Sequence, residues 1–186
     1  MSLHDVVIQT EFSIRAVEQC VPPAAVAQEW TMWLDLSTIK CTFSEKELHF
    51  ELVENVADWE AMRQLRQEIE AALGRTDGNL VDALINDIRC KVAFLDGEWF
   101  LAWHAGTCVG QIGLIPFDFE GRRFMRLQNV DIHPYYQGQR LGGKLLRWAV
   151  FQIQQRGFEA ACLMAKADDW PKEWYQRIGF TKVGET

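Results

Sequence analysis

Residues 133–146 read HPYYQGQRLGGKLL. Three glycines, Gly138, Gly142 and Gly143, fall among polar residues, and an apolar run follows. Residues 123–133 just upstream read as a strand. Downstream, Leu145, Leu146, Ala149 and Ile153 recur at helical spacing. A strand, a tight glycine loop and a helix N-terminus make a general anion cradle. Backbone amides converge on one point, glycine lets a ligand approach closely, and the helix dipole adds partial positive charge. From Arg122 to Arg147 there are six basic residues against one acid, Asp131. A structural turn carrying solvated basic side chains is the plain alternative.

The charge around this loop runs against that of the chain, whose net charge is −7 over 186 residues. An acidic balance argues against a general nucleic-acid partner and is weakly compatible with a cationic substrate such as an amine. The five cysteines, Cys20, Cys41, Cys90, Cys108 and Cys162, are odd in number, dispersed and form no CxxC pair. The four histidines show no HxxxH spacing. Neither a disulfide framework nor a metal site is expected. The N-terminus lacks the basic and apolar regions of a signal peptide, and no apolar run is long enough to span a membrane. The expectation is a cytoplasmic protein with no membrane partner.

Working outward, residues 6–16 alternate apolar and polar, as a half-buried strand does. Pro22 and Pro23 then precede a stripe of Val26, Trp30, Trp33 and Leu34 that predicts a helix. Residues 47–53 read as a strand. Residues 56–73 read as a helix with Trp59, Met62, Leu65, Ile69 and Leu73 on one face and Gly74 at its end. A second helix is predicted over 80–89. A meander follows, with strands at 92–95, 99–103, 108–117 and 123–133, the first pair joined by a hairpin turn at Asp96 and Gly97. After the opening loop come a helix to about Arg156, a strand at 160–165, a short helix at 171–178 and a last strand at 180–183. The sum is a mixed, mostly antiparallel α/β sheet with helices on both faces.

Two sharper readings of the loop compete. Residues 138–144 match GxxxxGK, but the next residue is Leu145, where a P-loop needs a hydroxyl for Mg²⁺. The other uses more of the chain. VDIHPYYQGQRLGGKLL, residues 130–146, resembles the acetyl-CoA-binding motif of the GCN5-related N-acetyltransferase (GNAT) family, a strand, a Gln/Arg-x-x-Gly-x-Gly/Ala loop and a helix. Gln137 and Gly142 match, and Arg140 stands where the family usually has glycine. Residues 174–180, from Trp174 through Tyr175 to Gly179 and Phe180, resemble a second family segment, aromatic-Tyr-x-x-x-Gly-Phe. The resemblance covers roughly residues 47–186.

The resemblance implies direct attack of an acceptor amine on the thioester of acetyl-CoA, bound as co-substrate without a metal. It implies a V-shaped splay between the fourth and fifth family strands, here 123–133 and 160–165. The pantetheine arm would pair with backbone groups of Val130 and Ile132. The pyrophosphate would rest on the amides of Gln137, Gly138, Gln139, Arg140, Leu141, Gly142 and Gly143, with Lys144 beside them. The Arg140 side chain would either crowd the pyrophosphate or bond a phosphate oxygen. Tyr175 matches the tyrosine that protonates the departing thiolate. Asp131 is the only carboxylate on its strand and is either the general base or a supporting contact; His133, or water held by Gln128 or Asn129, are the other choices. Asp168 occupies a position often held by a pantetheine-binding Asn, and either takes that role or caps a helix.

The family usually ends with a seventh strand, whereas Thr186 follows Gly179 by seven residues. Residues 1–46, an extension of strand plus helix before a domain at 47–186, are the expected source of the missing strand, the segment at 6–16 first among them. The strand would come from the same chain or from the partner of a homodimer. The acceptor, a small-molecule or peptide amine, would enter near residues 74–79. A non-catalytic acyl-CoA-binding regulatory module on the same fold is the other functional reading.

Overall fold

The computed structural model describes residues 28–44 and 48–185; the predicted strand at 6–16 lies outside them. Seven strands form one sheet in the order β2-β3-β4-β5-β6-β1-β7. They are β1 (Glu29–Asp35), β2 (His49–Leu52), β3 (Glu98–His104), β4 (Thr107–Phe119), β5 (Arg122–Ile132), β6 (Ala160–Lys166) and β7 (Thr181–Glu185). Four helices connect them: α1 (Val56–Ala72), α2 (Gly78–Phe94), α3 (Leu141–Gln155) and α4 (Pro171–Ile178). β5 and β6 run parallel and the other paired neighbours antiparallel.

The first two helices begin where the sequence supplies a partner for otherwise open amides. The Asn55 side chain accepts from the backbone of Ala57 and Asp58, and Asp58 reaches back to Asn55 N–H. Asp77 caps α2. α3 and α4 cover one face of the sheet, where Leu145, Leu146, Ala149 and Ile153 meet Phe100, Ile112, Leu127 and Leu163. α1 and α2 cover the other, where Met62, Ile85 and Ile88 meet Trp99, Leu101 and Ile115.

Two local expectations are corrected. Residues 29–35 are strand β1, not a helix. Met32 and Leu34 face the α3 core while Trp33 packs on Phe124 on the opposite face. A strand buried on both faces carries apolar residues without alternation, and such a run also fits a helical stripe. Residues 92–94 are the last turn of α2, not a strand. Leu95 N–H and Gly97 N–H both bond the carbonyl of Lys91, which closes the helix. Asp96 and Gly97 therefore lead from a helix into β3 rather than joining a hairpin.

Two pairings shape the functional end. β5 pairs with β6 only over Phe124–Ala160, Met125–Ala161 and Arg126–Cys162. Beyond Arg126 the strands part, and β6 continues against β1 alone, in register from Glu29–Lys166 to Asp35–Ala160. β1 in turn pairs with β7. The splay is thus held open from one side by the β1–β6 ladder. Leu34 is 1% exposed in this packing. Leu34→Ala is expected to lower stability by about 2–5 kcal/mol in urea unfolding, as a large-to-small change in a closed core does; a loss under about 1 kcal/mol would mean that β1 lies outside the cooperative core.

Candidate active site

The loop after β5 is tightly built. Pro134–Tyr136 form a single 3-10 turn, capped by His133, whose Nδ1 accepts from Tyr135 N–H at 3.1 Å. Gln137 donates its side-chain amide to Ile132 O at 3.2 Å and its backbone N–H to Pro134 O at 3.2 Å. The backbone N–H of Gln137 is thus engaged within the turn, while the residue stays at the edge of the cleft described below. Gly138 and Arg140 both take left-handed backbone conformations, with φ +79° and +62°. Arg140 is the residue directly before α3, and no side chain caps that helix. The first turn of a helix has N–H groups without intrahelical partners, and α3 carries no acid there. A left-handed position is why glycine is usual where Arg140 stands.

These amides open on a cleft of about 340 Å³ at the mouth of the splay. Val130 and Ile132 of β5 form one wall. Gly138, Arg140 and the first turn of α3, Leu141 to Gly143, form the floor, with Gln137 and Tyr136 at its edge. Trp170 and Trp174, their rings 6.3 Å apart, form the far wall. A Cβ built on Gly142 would lie 3.6 Å from both Ile132 and the Trp174 indole, so the walls close around that glycine. Gln139, Lys144 and Asp168 are not part of the lining. Gln139 bonds Tyr135 O, and Asp168 sits in the turn before α4. Leu145 is fully buried in the core, so the position where a P-loop needs its metal-binding hydroxyl points at the sheet. A larger depression of about 560 Å³ lies near residues 35–41 and the end of α3, where Arg122 is paired with Glu159 and Asp35 holds Ser37. Arg122, Glu159 and Asp35 are engaged there with each other or with Ser37, and we assign the chemistry to the smaller cleft.

The opposite face of β5 carries Asp131. Between the pairs Gln111–Asp131 and Gly113–Gln128, two residues of β5 stand against one of β4. Asn129, at φ +48°, absorbs this bulge. The extra residue returns Asp131 to the face of Gln128 and leaves Val130 and Ile132 on the cleft side. Asp131 Oδ2 accepts from Arg66 Nη1 of α1 at 2.6 Å and from Gln111 Nε2 of β4 at 2.9 Å. Arg66 also bonds Glu70 at 2.6 Å, and Glu70 meets Arg75. His133 meets Glu68 through Nε2 at 3.0 Å while Nδ1 holds the Tyr135 amide, so both ring nitrogens are engaged.

Tyr175 is 7% exposed, between Trp174 and Phe180. Burial pushes its hydroxyl well above the ordinary tyrosine range, and the charges of Asp131 and Asp169 push the same way. The sequence did not single out the tryptophan pair as a wall, nor Arg66, Glu70 and Gln111. The Arg66–Glu70 spacing of four residues marked a helical ion pair, but its link to a strand 65 positions away left no local signal.

Two outcomes follow from these positions. Arg140→Gly relieves a left-handed conformation and should raise stability by about 0.5–1 kcal/mol in chemical denaturation. The neutral Tyr175 is favoured in the folded state, so its contribution is complete below the ordinary value of 10.0 and is lost as pH rises above it. Alkaline unfolding followed beside Tyr175→Phe should start at higher pH in the variant.

Residues 96–182 match the family model of the acetyltransferase (GNAT) domain. The sequence has no match among curated proteins. Among solved structures, a functionally unknown conserved protein from Staphylococcus epidermidis is similar, with 14% identity and a TM-score of 0.64 over 86% of this chain and 59% of that one. The present chain therefore spans less than two thirds of that relative. A predicted acetyltransferase from Clostridium acetobutylicum, solved with acetyl-CoA, aligns at TM-score 0.56 and 16% identity over 73% of this chain and 91% of that one. A GCN5-related N-acetyltransferase from Ralstonia eutropha aligns at 0.57 and 18% over 75% and 95%. At these identities the structures speak for the fold alone. Residues 96–182 are thus similar to the acetyltransferase (GNAT) domain, and the splayed sheet agrees with the fold of those structures.

Proposed function

We propose that the protein transfers an acetyl group from acetyl-CoA to an amine of a small molecule or peptide, in the cytoplasm. The observation that carries this reading is the uncapped first turn of α3 opening, beside the left-handed Gly138 and Arg140, on the cleft where β5 leaves β6. Those groups suit a pyrophosphate: amides at a helix N-terminus, no acid in the first turn, and a guanidinium able to bond a phosphate oxygen. Val130 and Ile132 present strand backbone to a pantetheine arm, and the two tryptophans give it an apolar wall. Acetyl-CoA supplies the activated thioester.

The chain's own residues then have two tasks. The amine nitrogen attacks the thioester carbonyl; a C–N bond forms and the C–S bond breaks. Tyr175 keeps its proton at every physiological pH, so its hydroxyl is always a donor toward the departing sulfur. Its raised proton affinity makes complete transfer uphill, so stabilisation of the sulfur by hydrogen bonding is its main contribution. Asp131 takes the proton released by the amine. An acidic chain favours approach of a cationic acceptor.

Acetyl-CoA and Mg-ATP, titrated separately in thermal unfolding, decide the ligand: acetyl-CoA should raise the melting temperature with concentration and Mg-ATP should not. Arg140→Gly should bind acetyl-CoA several-fold more weakly if its guanidinium meets phosphate. Tyr175→Phe should lower kcat by about 10²-fold, measured as thiol release with tyramine or spermidine as acceptor, and leave acetyl-CoA binding within about twofold. Binding with no turnover in the wild type would favour a non-catalytic acyl-CoA-binding module.

A further inference from the structure

Two side chains on the α1 face hold one carboxylate oxygen, and a third, Glu70, holds one of them. Arg66 is 7% exposed, Glu70 1% and Gln111 fully buried. Arg66 reaches Asp131 Oδ2 from a helix, and Gln111 reaches the same oxygen from the neighbouring strand. Neither contact uses Oδ1. Gln111 must turn its amide nitrogen toward the carboxylate, which fixes the orientation of the amide. That orientation leaves Gln111 Oε1 buried without a partner, and Arg66 Nε is buried without one as well. A buried charge pair is weak evidence for stability, and two orphaned polar atoms beside it are a further cost. An arrangement that holds a carboxylate this firmly at the expense of satisfied hydrogen bonds points to a function for the carboxylate's position.

We infer that Arg66 and Gln111 are positioning residues for acetyl transfer, holding Asp131 by Oδ2 so that Oδ1 is presented to the incoming amine. This rests on the reading of Asp131 as the group that takes the amine's proton. Glu70 supports the clamp by binding the second arm of Arg66. The strand bulge at Asn129 supplies the other half of the placement, since it turns Asp131 to this face. Arg66 and Gln111 then act through the geometry of Asp131 and touch neither the acetyl donor nor the acceptor.

The test is a double-mutant cycle read by steady-state thiol release with acetyl-CoA and either tyramine or spermidine. Gln111→Leu keeps the shape of the side chain and leaves no charge stranded, so it is the variant that preserves the fold. It should lower kcat about tenfold with the KM for acetyl-CoA unchanged within about twofold. In an Asp131→Asn background, Gln111→Leu should cost nothing further, because the group it positions is already disabled. Arg66→Gln should follow the same pattern with a larger loss, and Arg66→Lys should recover part of it. Equal losses in both backgrounds, or a lowered melting temperature with kcat unchanged, overturn the positioning role while leaving acetyl transfer intact. A wild type that binds acetyl-CoA yet acetylates neither amine overturns both readings together.

Discussion

The candidate site depends on where β5 lets go of β6. Three residue pairs hold the parallel strands together, and after Arg126 and Cys162 they diverge. The cleft-facing edge of β5 from Leu127 onward has no described strand beside it, and an open edge of this kind needs a partner. In this chain the edge lines a cleft with the first turn of α3 at one side and two tryptophans at the other. An extended, amide-bearing ligand satisfies such an edge as another strand would. The gap stays open because β6 has a complete partner on its other side, the antiparallel strand β1.

The bulge at Asn129 gives the splayed strand two functional faces. Without it, the alternation of side chains would put Asp131 on the cleft side, with Val130 and Ile132 turned away from it. With it, Val130 and Ile132 line the cleft while Asp131 meets Arg66 and Gln111 on the α1 side. One strand therefore lines the cleft on one face and carries Asp131 on the other. Tyr175, on α4, is buried between Trp174 and Phe180, and burial, with the charges of Asp131 and Asp169, raises its proton affinity.

Two departures from the family pattern become intelligible in physical terms. Arg140 adopts the left-handed conformation that glycine would adopt without strain, so the chain accepts a backbone cost at the cleft-facing end of the loop. A side chain kept at such a place suits a role in ligand binding. The chain's own β1 lies between β6 and the last strand, β7, within one sheet. That strand reads as a helix in isolation because its residues are buried on both faces.

The sequence by itself determined the local parts. The glycine loop and the apolar stripe after it predicted α3. The strands read at 99–103, 108–117 and 123–133 are those of the meander from β3 to β5. The spacing of Trp174, Tyr175 and Gly179 marked the last helix. These signals are local, since caps, turns and amphipathic periods lie within a few residues of one another. The tertiary structure decided what depends on distant partners. It made residues 29–35 a strand by giving them two neighbours, and it extended α2 through 92–94 by packing its last turn. It also used the Gln137 amide in a turn and brought Arg66 to Asp131. A strand's neighbours, a bulge's parity and a buried ion pair are set by which surfaces meet when the chain closes. That information is spread over the whole core, where no short stretch records it.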